Sequence, residues 1–479
     1  MKRGLILATV LALGGCSLAP RYAAPEPPVP ASWPVGDAYL KQQEAALPAF
    51  SYTDVFKDPR LLRLIDQALA NNRDMRVAAA NLAAARARVA VTRSAQFPEV
   101  GVDASAMYRS TNSGSAGSGH ESYAVEAGIS SFELDLFGRL ANATKAQRDR
   151  ALSTEAAART VRLGLIADLA SAWANYAADK ELLAIAERTA ENATKSVDLA
   201  RLRLNGGIAP GTDVSQAEQV LATARGDVAT QKTALAQDEN ILRLLVGASF
   251  DAALLPDGLD EIAASIMTLP AGMDSTVLLR RPDVIEAEYL LRAANADIGV
   301  ARAELFPRIS LSGLVDFASG QLSALFKDDA FRASGSANAG YALFAGGGPS
   351  ANVRVTKAQR DAALASYEKA IQTAFREVAD ALADQGTLTD RLEAARVNSA
   401  ASANTARLAD ARYRYGVDNF LSNLIAQRSD YSAQRAEIGV LRAAIENRIT
   451  LYRVLGGDTG HELEGNQAPD PTGLSDPSS

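Results

Sequence analysis

Enzyme chemistry needs side chains that can hold a proton, a metal or a covalent intermediate, and this 479-residue chain offers few of them. His120 and His461 are its only histidines, far apart and without a helix-spaced partner, so no zinc-binding set can be assembled from them. His461-Glu462 lacks the second histidine of a zinc-protease motif. Ala345-Gly-Gly-Gly-Pro349 lacks the Lys-Ser/Thr of a phosphate loop and reads as a strand-to-helix turn. No catalytic residues, no metal and no cofactor are expected, and the chain reads as a non-enzyme. Lys plus Arg number 49 against 56 for Asp plus Glu, a net charge of −7. That is the wrong sign for neutralising phosphates, so no nucleic-acid partner is expected. The chain is 48% hydrophobic but only 6% aromatic. Much of its apolar content is alanine, which suits close helix packing better than a bulky core.

The one residue placed for covalent chemistry is Cys16, the only cysteine. Residues 1–15 read as a signal peptide: Lys2 and Arg3 supply the charged start, and Leu5 to Leu13 form an apolar stretch too short to span a bilayer. The stretch ends in Leu13-Gly14-Gly15-Cys16, which resembles the bacterial lipobox, where the thiol is diacylated and the amine freed by cleavage is acylated too. Several acyl chains anchor a protein stably. The alternative is an ordinary secretion signal with a chance cysteine. Ser17 follows where an Asp would favour the inner membrane, so the expected destination is the outer membrane, with the body in the periplasm. The Pro-rich segment from Pro20 to Pro34 should be an extended tether.

The remainder is written twice. Thr144-Lys-Ala-Gln-Arg-Asp-Arg-Ala-Leu152 recurs as Thr356-Lys-Ala-Gln-Arg-Asp-Ala-Ala-Leu364, with eight of nine positions identical. Phe97-Pro98 recurs as Phe306-Pro307 at an offset of 209 residues, as do Gly207-Ile208 as Gly416-Val417 and Val246-Gly247 as Leu455-Gly456. These anchors define repeats at 61–249 and 270–458, joined by a linker at 250–269. They are preceded by a tether and leading segment at 16–60 and followed by an aperiodic tail at 459–479. Each repeat has one plan: an Ala-rich helix stopped at Phe-Pro, two strands, a very long helix (139–204 and 350–413), a Gly turn, and a second helix (213–245 and 420–455).

The strands alternate. Phe331, Ala333, Gly335, Ala337, Ala339, Tyr341 and Leu343 share one face, against Arg332, Ser334, Ser336, Asn338 and Gly340. Ile309 to Phe317, Val100 to Tyr108 and Tyr123 to Ile129 alternate likewise, and in the last of these the phase shifts at Ser130-Ser131 as a bulge would make it. About ten residues with one apolar face and aromatic ends match a transmembrane β-barrel strand, although a sheet on a soluble core alternates too. Four strands cannot close a barrel, so several copies must share one. Three copies give twelve strands.

The helices keep a seven-residue period. Val214, Leu221, Val228, Leu235 and Leu242 mark it in one, Leu424, Tyr431, Ile438, Ile445 and Tyr452 in another, with Gln231 and Asp238 interrupting the first seam. At about 1.5 Å per residue the longest helices reach on the order of 100 Å.

Taken with the lipobox and the duplication, Phe97-Pro98, Phe306-Pro307, the run Glu133-Leu-Asp-Leu-Phe-Gly-Arg139 and Arg412-Tyr-Arg-Tyr-Gly-Val-Asp418 resemble the TolC-like outer-membrane efflux family, nearest its OprM/NodT-type lipoprotein branch. The resemblance implies an α+β membrane protein. Its homotrimer would share a twelve-stranded transmembrane β-barrel and a twelve-helix periplasmic α-barrel, with an equatorial domain. It implies an exit channel for drugs or other small molecules, fed by a periplasmic adaptor (membrane fusion) protein and an inner-membrane pump. It also places gating and adaptor docking at the helix-hairpin tips: Arg203, Gly207, Ile208 and Asp213 in the first repeat, and Arg412, Tyr413, Gly416, Val417, Asp418, Asn419 and Phe420 in the second. Asp418 then stands either as an acidic ring at the axis or as a helix N-terminal carboxylate. Ile425 stands where the family often has an Asp, so an apolar ring is the alternative to a second acidic one. Two competing readings are a duct for type I protein secretion and a periplasmic coiled-coil adaptor lipoprotein. The latter would need a biotinyl-lipoyl-like domain that the sequence lacks.

Overall fold

The computed structural model describes residues 17–30, 32–34, 51–110, 119–268 and 275–457. Cys16, the signal peptide, the side chain of His120, His461 and the tail lie outside what is described. In order come α1 (Tyr52–Val55), α2 (Pro59–Asn71), α3 (Arg73–Ser94), β1 (Val100–Ser110), β2 (Gly119–Leu134), α4 (Arg139–Asn205), α5 (Gly211–Val246), α6 (Leu259–Ser265), α7 (Pro282–Ala303), β3 (Arg308–Ser319), β4 (Phe331–Gly340), α8 (Gly348–Arg414) and α9 (Phe420–Val454). From α3 onward one plan runs twice. Helices α4 and α8 are 67 residues each. The last strand stops at Gly340, so Tyr341 and Leu343 fall beyond it and short of the expected strand end.

The halves of the sequence are not the compact bodies of the fold. One unit comprises residues up to Glu26, Ala80–Glu155 and Glu286–Lys369; the other comprises Pro27–Ala79, Ala156–Ile285 and the chain from Ala370 on. Each draws on both repeats.

The first unit holds an antiparallel sheet ordered β1-β2-β3-β4. Its register aligns the alternation of every strand. Ala104, Val125, Phe317 and Phe331 form one transverse row and Val102, Ala127, Val315 and Ala333 the next, while Asp103, Glu126, Asp316 and Arg332 share a row on the other face. One face is therefore apolar across all four strands and the other polar. The β2–β3 register shifts between Ile129 and Phe132, the bulge that the phase change announces. Just before it Gly128 has φ +147°, and a Cβ there would lie 2.2 Å from the Gly313 carbonyl oxygen. No other residue type fits that close approach.

The extended N-terminal segment is pinned to this unit instead of hanging free. Ser17 Oγ donates to Asn142 Oδ1 at 2.9 Å, Asn295 Nδ2 to the Pro20 carbonyl at 2.8 Å, and Arg302 Nη1 to the Leu18 carbonyl at 3.0 Å. Proline-rich backbone cannot pair with itself, so side chains of α7 satisfy its carbonyls, while Asn142 of α4 accepts the Ser17 hydroxyl. In the second unit Trp33 stacks on Phe375 with centroids 4.9 Å apart.

In the second unit the core is built around Trp173, fully buried, whose indole nitrogen donates to the Leu254 carbonyl at 2.9 Å. Buried Arg281 donates to the Val454 carbonyl at 2.9 Å and to Asp283 and Glu377, closing the end of α9. Asp238, on α5, meets Asp179 of α4, and burial together with that second carboxylate pushes its pKa up to about 6. A carboxyl raised in this way keeps its proton in the folded chain where the unfolded chain has lost it. Stability should thus fall as pH rises from about 4 towards 6 and stay level above. Asp238→Asn is expected to flatten that dependence in the midpoint of helix loss followed by circular dichroism. An unchanged slope would assign the pH effect to another group.

Candidate functional site

Two features of the chain call for something outside it: the tips of the helix hairpins and the edges of the sheet. Both tips turn the same way. In the first, Gly207 at φ +73° follows α4, and the Ile208 N–H reaches back to the Arg203 carbonyl at 3.0 Å. In the second, Gly416 at φ +76° follows α8, and the Val417 N–H reaches the Arg412 carbonyl at 2.8 Å. A positive φ after the last helical turn, closed by this six-residue hydrogen bond, is the glycine C-cap that both sequences encode. Asp213 sits in the first turn of α5, where its charge favours the helix N-terminus.

Arg203 and Arg412 are counterparts in the repeat, yet they have different partners. Arg412 grips Asp418 with two hydrogen bonds, Nε to Oδ2 at 2.5 Å and Nη2 to Oδ1 at 3.2 Å. That guanidinium holds the Asp418 carboxyl below the usual carboxylate range. The residue that caps α9 is Asn419, whose side chain accepts the Ser422 N–H at 2.9 Å. Asp418 is therefore a charge-compensated carboxylate two residues before the first residue of α9, and the cap of that helix is its neighbour Asn419. Ala209 occupies the matching place in the first tip, so Arg203 has no local acid. It reaches to the second hairpin instead, donating to the Tyr413 and Arg414 carbonyls at 2.9 and 3.1 Å with its guanidinium 4.3 Å from the Tyr413 ring centroid.

Beneath that clamp lies a small apolar core. Tyr413 is buried edge-on to Phe420, centroids 5.4 Å apart, against Val197, Ala200, Ala217 and Leu424. The outer surface is different: Tyr415, Val417, Leu421 and Ile425 are 86%, 62%, 51% and 57% exposed, and Ile208 is 78% exposed. Large apolar side chains at such exposure mark a surface that meets something else.

A second bridge escapes sequence reading. Tyr431 stands in the heptad series of α9 and reads as a seam residue, yet its hydroxyl donates to Asp227 Oδ2 of α5 at 2.8 Å. Burial, and next that carboxylate, push its pKa up to about 12. Polar cavities of about 320 and 270 Å³ between the hairpins share Tyr431 as a wall. The only sequence signal for this bridge is a polar Asp227 opposite a seam tyrosine, which takes a three-dimensional register to see.

The sheet leaves the outer edges of β1 and β4 unpaired within the described chain, with β4 exposed along its whole length. Among the described residues no helix is long and apolar enough to cross a membrane, and no three histidine, cysteine or acidic side chains gather to hold a metal.

Against known proteins, the outer membrane efflux protein family matches residues 64–248 and again 275–457. The chain is 39% identical to the antibiotic efflux pump outer membrane protein ArpC of Pseudomonas putida, over 94% of both chains. Among solved structures it superposes with a TM-score of 0.86 on a membrane protein from Pseudomonas aeruginosa, at 34% identity, covering 94% of this chain and 100% of that one. It superposes with a TM-score of 0.82 on the open state of the Neisseria gonorrhoeae MtrE outer membrane channel, at 31% identity, covering 92% and 98%.

Arg203→Ala removes both hydrogen bonds to carbonyls and the ring contact. With charged hydrogen bonds contributing about 1.5–3 kcal/mol each, amide exchange at residues 413–420 is expected to quicken by about tenfold or more while the stems of the hairpins stay unchanged. Unaltered exchange at the second tip would mean that Arg203 does not hold it.

Proposed function

The chain belongs to the outer membrane efflux protein family, and from that premise we propose that three copies of it form one continuous exit duct. It is an outer-membrane efflux component. In the duct, the sheets close into a twelve-stranded barrel and the long helices, four from each chain, line a twelve-helix tunnel below it. Small molecules cross passively, driven by the partners upstream: a periplasmic adaptor and an inner-membrane pump. The name of the Pseudomonas putida relative, an antibiotic efflux pump component, speaks for drug-like cargo over secreted protein.

The observation that carries this is the sheet. Its apolar face is continuous over four strands, and both of its outer edges are unpaired. Hydrocarbon tolerates the first and forbids the second, so the edges must find strands of other copies. Acylation at Cys16 adds a lipid anchor beside the barrel. The hairpin tips form the periplasmic mouth, where the adaptor docks on the exposed apolar side chains. Since Arg412 already neutralises Asp418, the narrowing there is carried by Val417, Leu421 and Ile425 instead of an open acidic ring. The Arg203 clamp and the Tyr431–Asp227 bridge each tie the second hairpin to the first and hold the mouth shut; breaking them is the opening movement.

Deleting the chain from cells that keep its adaptor and pump should raise the steady-state accumulation of a fluorescent efflux dye several-fold. The full-length chain should restore efflux. Unchanged accumulation, with adaptor and pump present at normal levels, would overturn the assignment.

A further inference from the structure

On the face of the first unit that carries the N-terminal segment, the two repeats have diverged in their arginines. In the second repeat Asn295 and Arg302 of α7 receive the segment, donating to the Pro20 and Leu18 carbonyls. At an offset of 209 residues their counterparts on α3 are Arg86 and Arg93. These two point to other partners: Arg86 to Glu155 of α4 at 3.1 Å, and Arg93 to the Phe97 ring, 5.9 Å from its centroid. Where the second repeat receives backbone, the first keeps a hollow of about 450 Å³ between α3 and α4. Arg86, Arg93 and Arg148 line it, Val89 and Leu152 give it apolar walls, and Glu155 is the only acid among the described residues of its lining. Arg93 and Arg148 are exposed and make no ion pair among the described residues. The counterpart of Arg148 is Arg360, which is held by Asp361 at 2.9 Å. Both arginines of the second repeat are therefore engaged, whereas the first repeat gathers three guanidiniums against one carboxylate and leaves two of them without an acid.

We propose that this hollow binds the phosphate of an anionic phospholipid from the periplasmic leaflet of the outer membrane. The proposal rests on the membrane placement of the sheet and the lipid on Cys16 argued above. Those two features also set the height of the hollow. Arg302 holds Leu18, two residues from Cys16, and two residues of extended chain span about 7 Å at most. The guanidinium of Arg302 therefore stands close to where the acyl chains of Cys16 enter the bilayer. Arg93 occupies the same place in its own repeat, one turn before the Phe97-Pro98 that opens β1. A cation at that level meets lipid phosphates, and a pocket of several arginines favours an anionic headgroup over a zwitterionic one. Arg93 and Arg148 offer planar forks that match phosphate oxygens in pairs. Glu155 holds Arg86 at the margin, and Val89 and Leu152 give the glycerol end of the lipid an apolar seat. The bound lipid then does for α3 what the N-terminal segment does for α7: it covers the outward cations at the base of the sheet.

The test uses the full-length protein purified in a neutral detergent and titrated with dioctanoyl phosphatidylglycerol, bound lipid being counted by native mass spectrometry. The double variant R93Q/R148Q is expected to bind about tenfold more weakly or worse, since each charged hydrogen bond lost is worth at least that factor. The variant R188Q, an exposed arginine far along α4, should bind as the unaltered protein does. Dioctanoyl glycerol, which has the chains without the phosphate, should bind neither form. Equal binding by R93Q/R148Q, or equal binding of the uncharged lipid, overturns the site. Inorganic phosphate at the concentration of the lipid should not displace it; displacement assigns the hollow to a free anion and overturns the lipid reading. Phenylglyoxal labelling of the unaltered protein needs no substitution. Added phosphatidylglycerol should slow labelling several-fold at Arg93 and Arg148 and leave Arg188 unchanged, whereas equal labelling at all three contradicts the proposal. An N-terminal peptide without acyl chains, or protein absent from the outer-membrane fraction, fails the membrane placement itself. An acylated outer-membrane protein that retains no phosphatidylglycerol fails this site alone.

Discussion

A backbone N–H or C=O in hydrocarbon has no water to turn to, and each one left unpaired costs several kcal/mol. That constraint governs the chain. It contributes four strands with one apolar face, ordered so that both outer edges stay open. One copy is thus too little to stand in a bilayer, and the proposed ring of three is the smallest closure that gives twelve strands, within the range of known membrane barrels. The low aromatic share, 6% of a chain that is 48% hydrophobic, fits the same constraint. In the proposed barrel, a wall one residue thick and shared between copies is rich in Ala, Gly, Ser and Val, with Phe317, Phe326 and Phe331 gathered at one end of the sheet and Phe137 and Phe306 stacked at the other.

Duplication supplies the geometry, and divergence between the copies supplies its asymmetry. Both tips close with the same glycine cap, yet Asp418 in one faces Ala209 in the other. That single difference redirects Arg203 from its own hairpin to the carbonyls of the second. The result is a cross-link between hairpins made from a residue whose counterpart, Arg412, only braces its own turn. The gate proposed for these tips would depend on cations finding carbonyls and ring faces more than on a ring of repelling acids.

Much of this was legible from residues alone. The strands, the bulge at Ser130-Ser131, the two long helices of each repeat and the glycine turns each rest on local signals of period or backbone conformation, and each stands within a few residues of its expected place. The strand end at Gly340 was not legible, because Tyr341 and Leu343 continue the alternation after the hydrogen bonding to β3 has stopped. The partners of Asp418 and Tyr431 were hidden as well. A carboxylate before a helix reads as a cap until a neighbouring arginine is seen to hold both its oxygens, and a seam tyrosine reads as packing until Asp227 meets its hydroxyl. The N-terminal segment reads as a tether because its proline content excludes helix, but nothing local tells that Asn142, Asn295 and Arg302 fasten it down.

The central claim is that closure between copies makes a pore. Planar-bilayer recording of the purified full-length protein tests it most directly. The account predicts discrete, long-lived conductance steps of uniform size, small at rest and enlarged when Arg203 and Tyr431 are replaced together by Ala and Phe. Protein that inserts into the bilayer and passes no current in either form would contradict it.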